Sequence, residues 1–449
     1  MRISIVGGGI SGLTAAYRLL RAGHDVTCID LGSRPGGLVR SERIKGFLCE
    51  TGPQALLDNA SDTQSLIDEL GIRSTVVPAF PHANRRLILS RGRLRNVPSN
   101  PFKFLLSDAL TWKGKWRLLK ERKIPRRDFS ARDADETVLD FARRRLGDEA
   151  ASDLIAPMMI GIYAGDAARL SVRACAPRMI EMETEHGSLL RALRVRRKNG
   201  ITAGHLFSFR DGIETLPRAL AAALGTRLIR ARAHSVSNLA GKWMVDLATD
   251  PGTAPRPVPP SDHLILATGS NVTATFLDTV APAAAAGLRQ IRSAAAAVVC
   301  LGFSRKNIGM DLDAYGFLAR RGEGVTLLGC QYETTVFAHR APEDHVLLRV
   351  IVGGTFAPEA AALPESELIE LVLTELARVA GLRANPSFTA IFRHPDGIPQ
   401  YEMGHPELVR TIDEACREHP GLHLLGYSLH GISVNDCIRN ATALSKTIA

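Results

Sequence analysis

Three glycines near the N-terminus, Gly7, Gly9 and Gly12, follow the spacing Gly-x-Gly-x-x-Gly. That spacing suits a main-chain turn built to meet a pyrophosphate. The first glycine permits the tight turn, the second lets the backbone approach the phosphates, and the third lets helix and strand pack closely. Ile10 and Ser11 fall inside the same turn, where a helix N-terminus favours negative charge. Asp30 stands eighteen residues beyond Gly12, where a carboxylate accepts hydrogen bonds from ribose hydroxyls. Directly after it, Arg34-Pro35-Gly36-Gly37-Leu38-Val39-Arg40 offers two adjacent glycines flanked by arginines, suited to a second loop across the phosphates. The expected chemistry is dinucleotide binding. A metal site is not expected, because the seven cysteines (28, 49, 175, 300, 330, 416 and 437) form no CxxC pair, no zinc spacing and no disulfide framework. This usage fits a reducing, cytoplasmic setting.

The elements that must hold these residues are legible in outline. Residues 2–30 predict a βαβ unit: a strand over 2–6, the glycine turn, a helix over 13–22 closed by Gly23, and a strand over 25–30. Residues 90–200 turn basic and helical, with Pro98, Pro101, Pro125 and Pro157 as turn formers. Strand and helix return over 205–270, with a Pro-rich loop at 251–260 and a strand over 263–268 running into Gly269. Strands are expected at 297–303, 325–328 and 346–352, and a helix at 365–380. The chain closes with a strand over 422–425, a loop containing Gly426 and Gly431, and a helix from about Asp436. A chain of 449 residues predicts two or three domains. It has no apolar run of roughly 18 residues that would span a bilayer, and its N-terminus lacks the pattern of a signal peptide. The net charge of +10 favours anionic partners, with basic runs at 113–145 and 191–198. Without a recognition module or an aromatic-interleaved basic face, nucleic acid is not the expected partner. An anionic membrane surface or an acidic small substrate fits better.

Gly46-Phe47-x-x-Glu50-x-Gly52-Pro53 extends the N-terminal run into one that resembles the flavin amine oxidase superfamily, whose fingerprint, acid and double-glycine loop bind FAD. Further blocks narrow the resemblance. Gly161-Ile162-Tyr163-Ala164-Gly165-Asp166 through Leu170-Ser171 to Glu185-His186-Gly187-Ser188-Leu189 resembles the protoporphyrinogen oxidase family. So do Phe207-Ser208-Phe209-x-x-Gly212-Ile213-Glu214-x-Leu216, Tyr315-Gly316-Phe317-Leu318 and Phe337-Ala338-His339-Arg340-Ala341-Pro342. Gly397-Ile398-Pro399-Gln400-Tyr401-x-x-Gly404-His405 and Gly426 through Asn435-Asp436-Cys437-Ile438 complete a set spread along the whole chain.

The resemblance implies an α/β fold with a discontinuous Rossmann-type FAD-binding domain, a mixed α+β substrate domain and a helical membrane-associating domain. The expected boundaries are 1–90, 205–290 and 413–449 for the FAD domain, 91–204 for the basic helical part and 291–412 for the substrate domain. It implies a cofactor site of Gly7, Gly9, Ile10, Ser11, Gly12, Asp30, Arg34, Gly36, Gly37, Leu38, Gly52, Pro53, Ala233, Thr268, Gly426, Ser433, Val434 and Asn435. Gly316, Leu318 and Phe337 match positions lining the family's substrate pocket. The implied reaction, in haem biosynthesis, is six-electron oxidation of protoporphyrinogen IX to protoporphyrin IX. It proceeds by hydride transfer to flavin N5, with oxygen as acceptor and no catalytic side chain. Arg173, Arg178 and Arg349 are unranked candidates to anchor the substrate's carboxylates, and His186 and His405 read as structural. Peripheral contact with the inner face of the cell membrane and a homodimer complete the expectation.

Two departures from the family pattern stand out. Thr268-Gly269-Ser270 replaces the usual Ala/Thr-Pro at a strand end. Ser433 replaces a glycine expected close to the isoalloxazine, where its side chain would crowd the ring or donate a hydrogen bond to it. Three rival readings remain open. Amine-acting members typically carry a lysine on the strand corresponding to 294–303, and that stretch has none. Coproporphyrinogen III is the alternative substrate within the family, against which the Asn435–Asn440 ending leans. A catalytically silent flavin-binding partner in tetrapyrrole handling is the third.

Overall fold

The computed structural model describes every residue except 99, 132–133, 201–203, 249–255 and 449. Five short strands form a wholly parallel sheet in the order Leu228–Arg230, Asp25–Asp30, Arg2–Val6, His263–Leu266 and Leu422–Leu424. A parallel sheet is covered on both faces, so its strands must be apolar on both. Ile3, Ile5, Val26, Cys28 and Ile265 pack beneath the helices Ile10–Arg21, Thr215–Leu224 and Val434–Ile448. Val6, Ile29, Leu264 and Leu266 face the opposite layer. That layer contains Trp243 from an antiparallel pair, Ala233–Leu239 with Lys242–Leu247, and the helices Ser270–Leu277, Pro282–Gln290 and His405–Arg417. Three separate stretches of chain therefore build the parallel sheet.

A second, seven-stranded sheet runs Phe388–Pro399, Ser293–Ser304, His345–Gly353, Leu327–Tyr332, Gly316–Ala319, Arg86–Ser90 and Arg93–Asn96. It is antiparallel except where Gly316–Ala319 pairs with Arg86–Ser90. The amphipathic helix Glu365–Ala380 covers it through Leu368, Val372 and Leu376. The hairpin 86–96 straddles the boundary expected at 90/91. Its arginines suggest a change of domain, whereas its alternate Leu87 and Leu89 are buried in this sheet's core.

The basic stretch is helical, with Pro101–Leu106, Trp112–Leu119, Val138–Leu146, Ala156–Tyr163, Pro177–His186 and Leu189–Lys198. Side chains of Asn100, Thr111, Thr137 and Ser188 cap four of these helices, satisfying first-turn amides. Pro101 and Pro157 are not turn formers here. Pro101 lies in a helical first turn, where a missing N–H costs least, whereas Pro157 lies inside a continuous helical run over 148–163, directly after its π-helical segment Ala151–Ile155. Within the expected Pro-rich loop, Arg256–Pro257 pairs with Lys242–Leu247; residues 251–255 lie outside the described set. No helix among the described residues is long and apolar enough to cross a membrane.

Candidate cofactor and active site

The carboxyl ends of the parallel strands converge on the glycine turn, the edge where open α/β sheets receive ligands. Gly7 has φ +113°, and a Cβ there would lie 2.6 Å from the Ala267 carbonyl oxygen. A Cβ on Gly12 would overlap the Gly7 carbonyl, so helix Ile10–Arg21 can approach the strand this closely only with glycine. At Gly9 a Cβ would meet no heavy atom within 4 Å among the described residues, and Gly9 caps the helix with no side-chain hydrogen bond. The helix therefore begins at Ile10, three residues earlier than the expected 13, and presents first-turn amides without a protein cap. That is the arrangement a pyrophosphate requires, and FAD fits it.

Asp30 ties the turn to its strand. Its carboxylate accepts from Gly8 N–H at 2.6 Å and Gly32 N–H at 2.7 Å, and each oxygen retains capacity for a ribose hydroxyl. The second loop stacks on the first: Gly36 N–H donates to Gly8 O at 2.8 Å, and a Cβ on Gly37 would lie 3.2 Å from Gly9 Cα. Arg34 pairs with Glu42 and lies 3.7 Å from Glu214, so protein carboxylates already balance its charge. Leu38 is half-buried, its carbonyl pressed against Gly52, where a Cβ would overlap it. The thiols nearest the turn are inert: burial pushes Cys28 up to about 12 and Cys437 up to about 11.

The last strand brings the chain end to the same edge. Gly426 has φ +138°, and a Cβ there would lie 3.6 Å from Thr268 O. Thr268 Oγ1 is 2.8 Å from Thr273 Oγ1. Asn435 accepts from Thr63 Oγ1 at 2.8 Å and donates to Leu57 O at 3.0 Å, while Val434 is buried in the core under the first helix. Ser433, expected near the flavin ring, has a hydrogen-bond partner within the chain. Its hydroxyl donates to Asp436 at 2.7 Å and accepts from Asp436 N–H at 3.1 Å, while Ser433 N–H donates to the same carboxylate at 3.3 Å. This reciprocal cap starts the terminal helix at Val434, two residues before the expected 436. Ala233 opens its strand beside a cavity of about 450 Å3 lined with Arg232, His234, Asn271 and Phe276. The nearby Ala231 N–H donates to Asp30 O at 2.9 Å.

Behind Gly52 and the half-buried Pro53 lies a polar network that no local pattern announces. Glu50 is fully buried and accepts from Ser41 Oγ (2.5 Å), Ile213 N–H (3.0 Å) and Arg340 Nη1 (2.5 Å). Burial pushes its carboxyl up, against the opposing pull of Arg340 and Ser41. Arg340 also donates to Ser208 Oγ at 2.9 Å, and its Nε lies 3.8 Å from the buried Glu333. Arg349, a candidate substrate anchor, is instead consumed here. It donates to Glu50 O at 3.0 Å, to Gly52 O and to Gln331 Oε1 at 2.6 Å, and the residue is 4% exposed.

The other substrate candidates separate by burial. Gly316 (φ +138°) sits tight against the Cys330 carbonyl, and the half-buried Leu318 touches Gly161 of the helical region. Phe337 is interior, packed with Ala83 and Val336 under the Arg340 guanidinium at 5.0 Å, a supporting rather than a lining position. Arg173 spends its donors on the carbonyls of Phe129, Ala131 and Ala134. Arg178 is exposed, with no hydrogen bond or ion pair among the described residues. His186 lies 3.8 Å from Glu185. His405 is buried, pushed down to about 4 by burial, and donates to Leu429 O at 3.1 Å. The fold also makes a surface that the sequence does not predict. Phe102, Leu106, Trp112, Trp116 and Leu119 are exposed, with Lys115 and Lys120 over the two indoles at 4.6 and 5.4 Å. These residues lie on two successive helices, Pro101–Leu106 and Trp112–Leu119, so no single periodic stretch reveals them.

A dinucleotide edge assembled from three chain segments, joined to a seven-stranded sheet, defines a flavoprotein oxidoreductase. The chain belongs to the flavin-containing amine oxidoreductase family, whose model matches residues 10–448. It is an FAD-dependent oxidase. It is 27% identical to the coproporphyrinogen III oxidase of Bacillus subtilis (strain 168), over 98% of this chain and 96% of that protein. It is 31% identical to the protoporphyrinogen oxidase of Bos taurus, again over 98% and 96%. A crystal structure from Exiguobacterium sp. 255-15, named as a candidate protoporphyrinogen oxidase, superposes with a TM-score of 0.84 at 26% identity. That match covers 100% of this chain and 98% of the other.

Proposed function

We propose that the protein oxidises protoporphyrinogen IX to protoporphyrin IX, removing six electrons in three rounds with oxygen as the terminal acceptor. One observation carries the reading: relatives named for porphyrinogen oxidation align with nearly the whole chain. FAD, when bound, would supply a two-electron acceptor, its N5. The residues of this chain bind and orient. Gly7, Gly9 and Gly12 admit the pyrophosphate, Asp30 takes the ribose, and Arg349 braces the 50–52 segment from behind. Gly316 and Leu318 lie on an interior strand of the seven-stranded sheet, and Leu318 meets Gly161 of the helical region, where an apolar macrocycle would be walled from water. The strand Ser293–Ser304 carries no lysine, which argues against an amine substrate.

Coproporphyrinogen III is the second reading, favoured by the Bacillus subtilis relative. Porphyrin fluorescence after addition of each porphyrinogen to the aerobic holoenzyme separates the two. The reading expects the larger kcat/KM with protoporphyrinogen IX. A larger value with coproporphyrinogen III would replace it, and oxidation of neither would end it while leaving FAD binding intact.

The reading extends to peripheral contact with an anionic bilayer. Phe102, Leu106, Trp112 and Trp116 expose 80, 84, 75 and 63% of their surface beside exposed Lys103, Lys113 and Lys120. Aromatic and aliphatic side chains interleaved with lysines suit a headgroup layer. Cosedimentation with phosphatidylglycerol vesicles should be lost in Trp112→Ser/Trp116→Ser; retention in that variant would remove this part of the reading.

A further inference from the structure

The block Gln400-Tyr401-x-x-Gly404-His405 has no role in the function described so far, yet it is among the most tightly held parts of the molecule. Tyr401 is 1% and His405 6% exposed; their rings stack with centroids 4.1 Å apart and planes 15° apart. The Tyr401 hydroxyl donates to Tyr427 O, and His405 Nε2 donates to Leu429 O at 3.1 Å. Two side chains thus hold alternate carbonyls of the loop between the last parallel strand and the terminal helix. On its other side the block is fastened to the helical region. Tyr163 packs on Tyr401 at 5.6 Å, Gln400 Nε2 donates to Tyr163 O at 2.7 Å, and Ser171 N–H donates to Tyr401 O at 2.8 Å. Loop 426–433 has little structure of its own. Its internal backbone bond, Leu429 N–H to Gly426 O, is long at 3.4 Å.

We propose that Tyr401 and His405 are positioning residues for the flavin: by fixing Tyr427 O and Leu429 O they set where loop 426–433 presents its backbone to the cofactor. This rests on the reading that loop 426–433 borders the bound FAD. A loop of eight residues without regular structure samples many conformations. Asn440 Nδ2 holds His430 O at 2.5 Å near the helix end, and the two carbonyls fixed by Tyr401 and His405 restrain the half that follows the strand. The tilted ring contact with Tyr163 also makes the helical region part of the mounting, so strain there reaches the cofactor through a packed, contiguous path.

The test uses the holoenzyme and three readouts: FAD dissociation constant, flavin midpoint potential and thermal midpoint. Tyr401→Phe keeps the ring stack and removes one hydrogen bond; His405→Leu removes the other. Each should weaken FAD binding by about three- to ten-fold, the worth of one neutral hydrogen bond, and displace the flavin potential. His405→Gln, which keeps a donor at the reach of Nε2, should restore both. Thermal midpoints that fall while FAD affinity and potential stay at wild-type values would overturn the proposal. Gly426→Ala strains the loop directly at φ +138°. If it weakens FAD and the staple variants do not, only the staple role fails. If it too leaves FAD untouched, loop 426–433 does not border the cofactor and both readings fall.

Discussion

Replacing Arg340 with methionine isolates the energetics of the polar network behind the cofactor loop. Methionine keeps most of the apolar stem and removes a cation held 2.5 Å from Glu50, 3.8 Å from Glu333 and 2.9 Å from Ser208 Oγ, all at 1% exposure or less. Breaking one side of a buried ion pair costs about 3–5 kcal/mol, because the remaining charge is left without compensation. Here two carboxylates lose their cation, and Glu50 relieves the cost by taking up a proton. Glu50 already sits above its ordinary value through burial, with Arg340 opposing that rise. Without the guanidinium the folded-state value rises further above the unfolded value of about 4.3. The folded variant then binds more protons than the unfolded chain across that window. Its stability is therefore greatest at low pH and is lost as pH rises through the raised value. The expected deficit against wild type is about 3–5 kcal/mol near pH 8 and shrinks toward pH 5. The urea m-value grows with the surface exposed, so for a chain of this size that is a midpoint lowered by about 0.5–1 M at the higher pH. Urea unfolding of FAD-saturated protein, followed by circular dichroism at both pH values, measures it. Adding Glu50→Gln to the variant should recover part of the loss at pH 8. A deficit that is independent of pH, or below about 1 kcal/mol, would refute the ion-pair reasoning.

Three further outcomes follow from the geometry. Gly12→Val places side-chain atoms on the Gly7 carbonyl and forces the first helix off its strand, so the purified protein should carry no flavin by absorbance. Ser433→Ala removes the N-cap of the terminal helix and should cost about 1 kcal/mol in thermal unfolding, with the flavin absorption spectrum unmoved because the hydroxyl is turned to Asp436. Burial pushes His405 down to about 4, so the unfolded chain takes up this proton near pH 6.5 and the folded chain only near 4. Stability is full above pH 6.5 and falls by about 3 kcal/mol on acidification to 4; His405→Gln should flatten that limb of a pH–stability curve.

The glycine turn was legible because its demands are local. Gly7 needs φ +113° and Gly12 needs the absence of a side chain, and both requirements are written in residue type within a few positions. The strand Ser293–Ser304 and the helix Glu365–Ala380 were legible for the same reason, as runs whose period or length admits one reading. Ser433 shows the limit. Read by type, it is a glycine lost beside a flavin. Read with Asp436 it is a helix cap, and the choice depends on where the helix begins, which differs from the expectation by two residues.

What holds the site in place was illegible because its partners are far apart in sequence. Arg340 reaches Glu50 across 290 positions, Arg349 reaches Gly52 across 297, and Gln400 reaches Tyr163 across 237. An arginine in a sequence has no sign that marks it as spent, so Arg349 reads as a substrate anchor until its three acceptors are seen. The two kinds of residue have different physical jobs. The glycines clear space for a cofactor, and space can be inferred from what is absent. The distant pairs supply stiffness, and stiffness comes from contacts that only the folded chain makes. A variant that fills the space should abolish FAD binding outright. One that cuts a distant pair should leave FAD bound and alter how well it is held, so the two classes are separable by flavin content against flavin affinity.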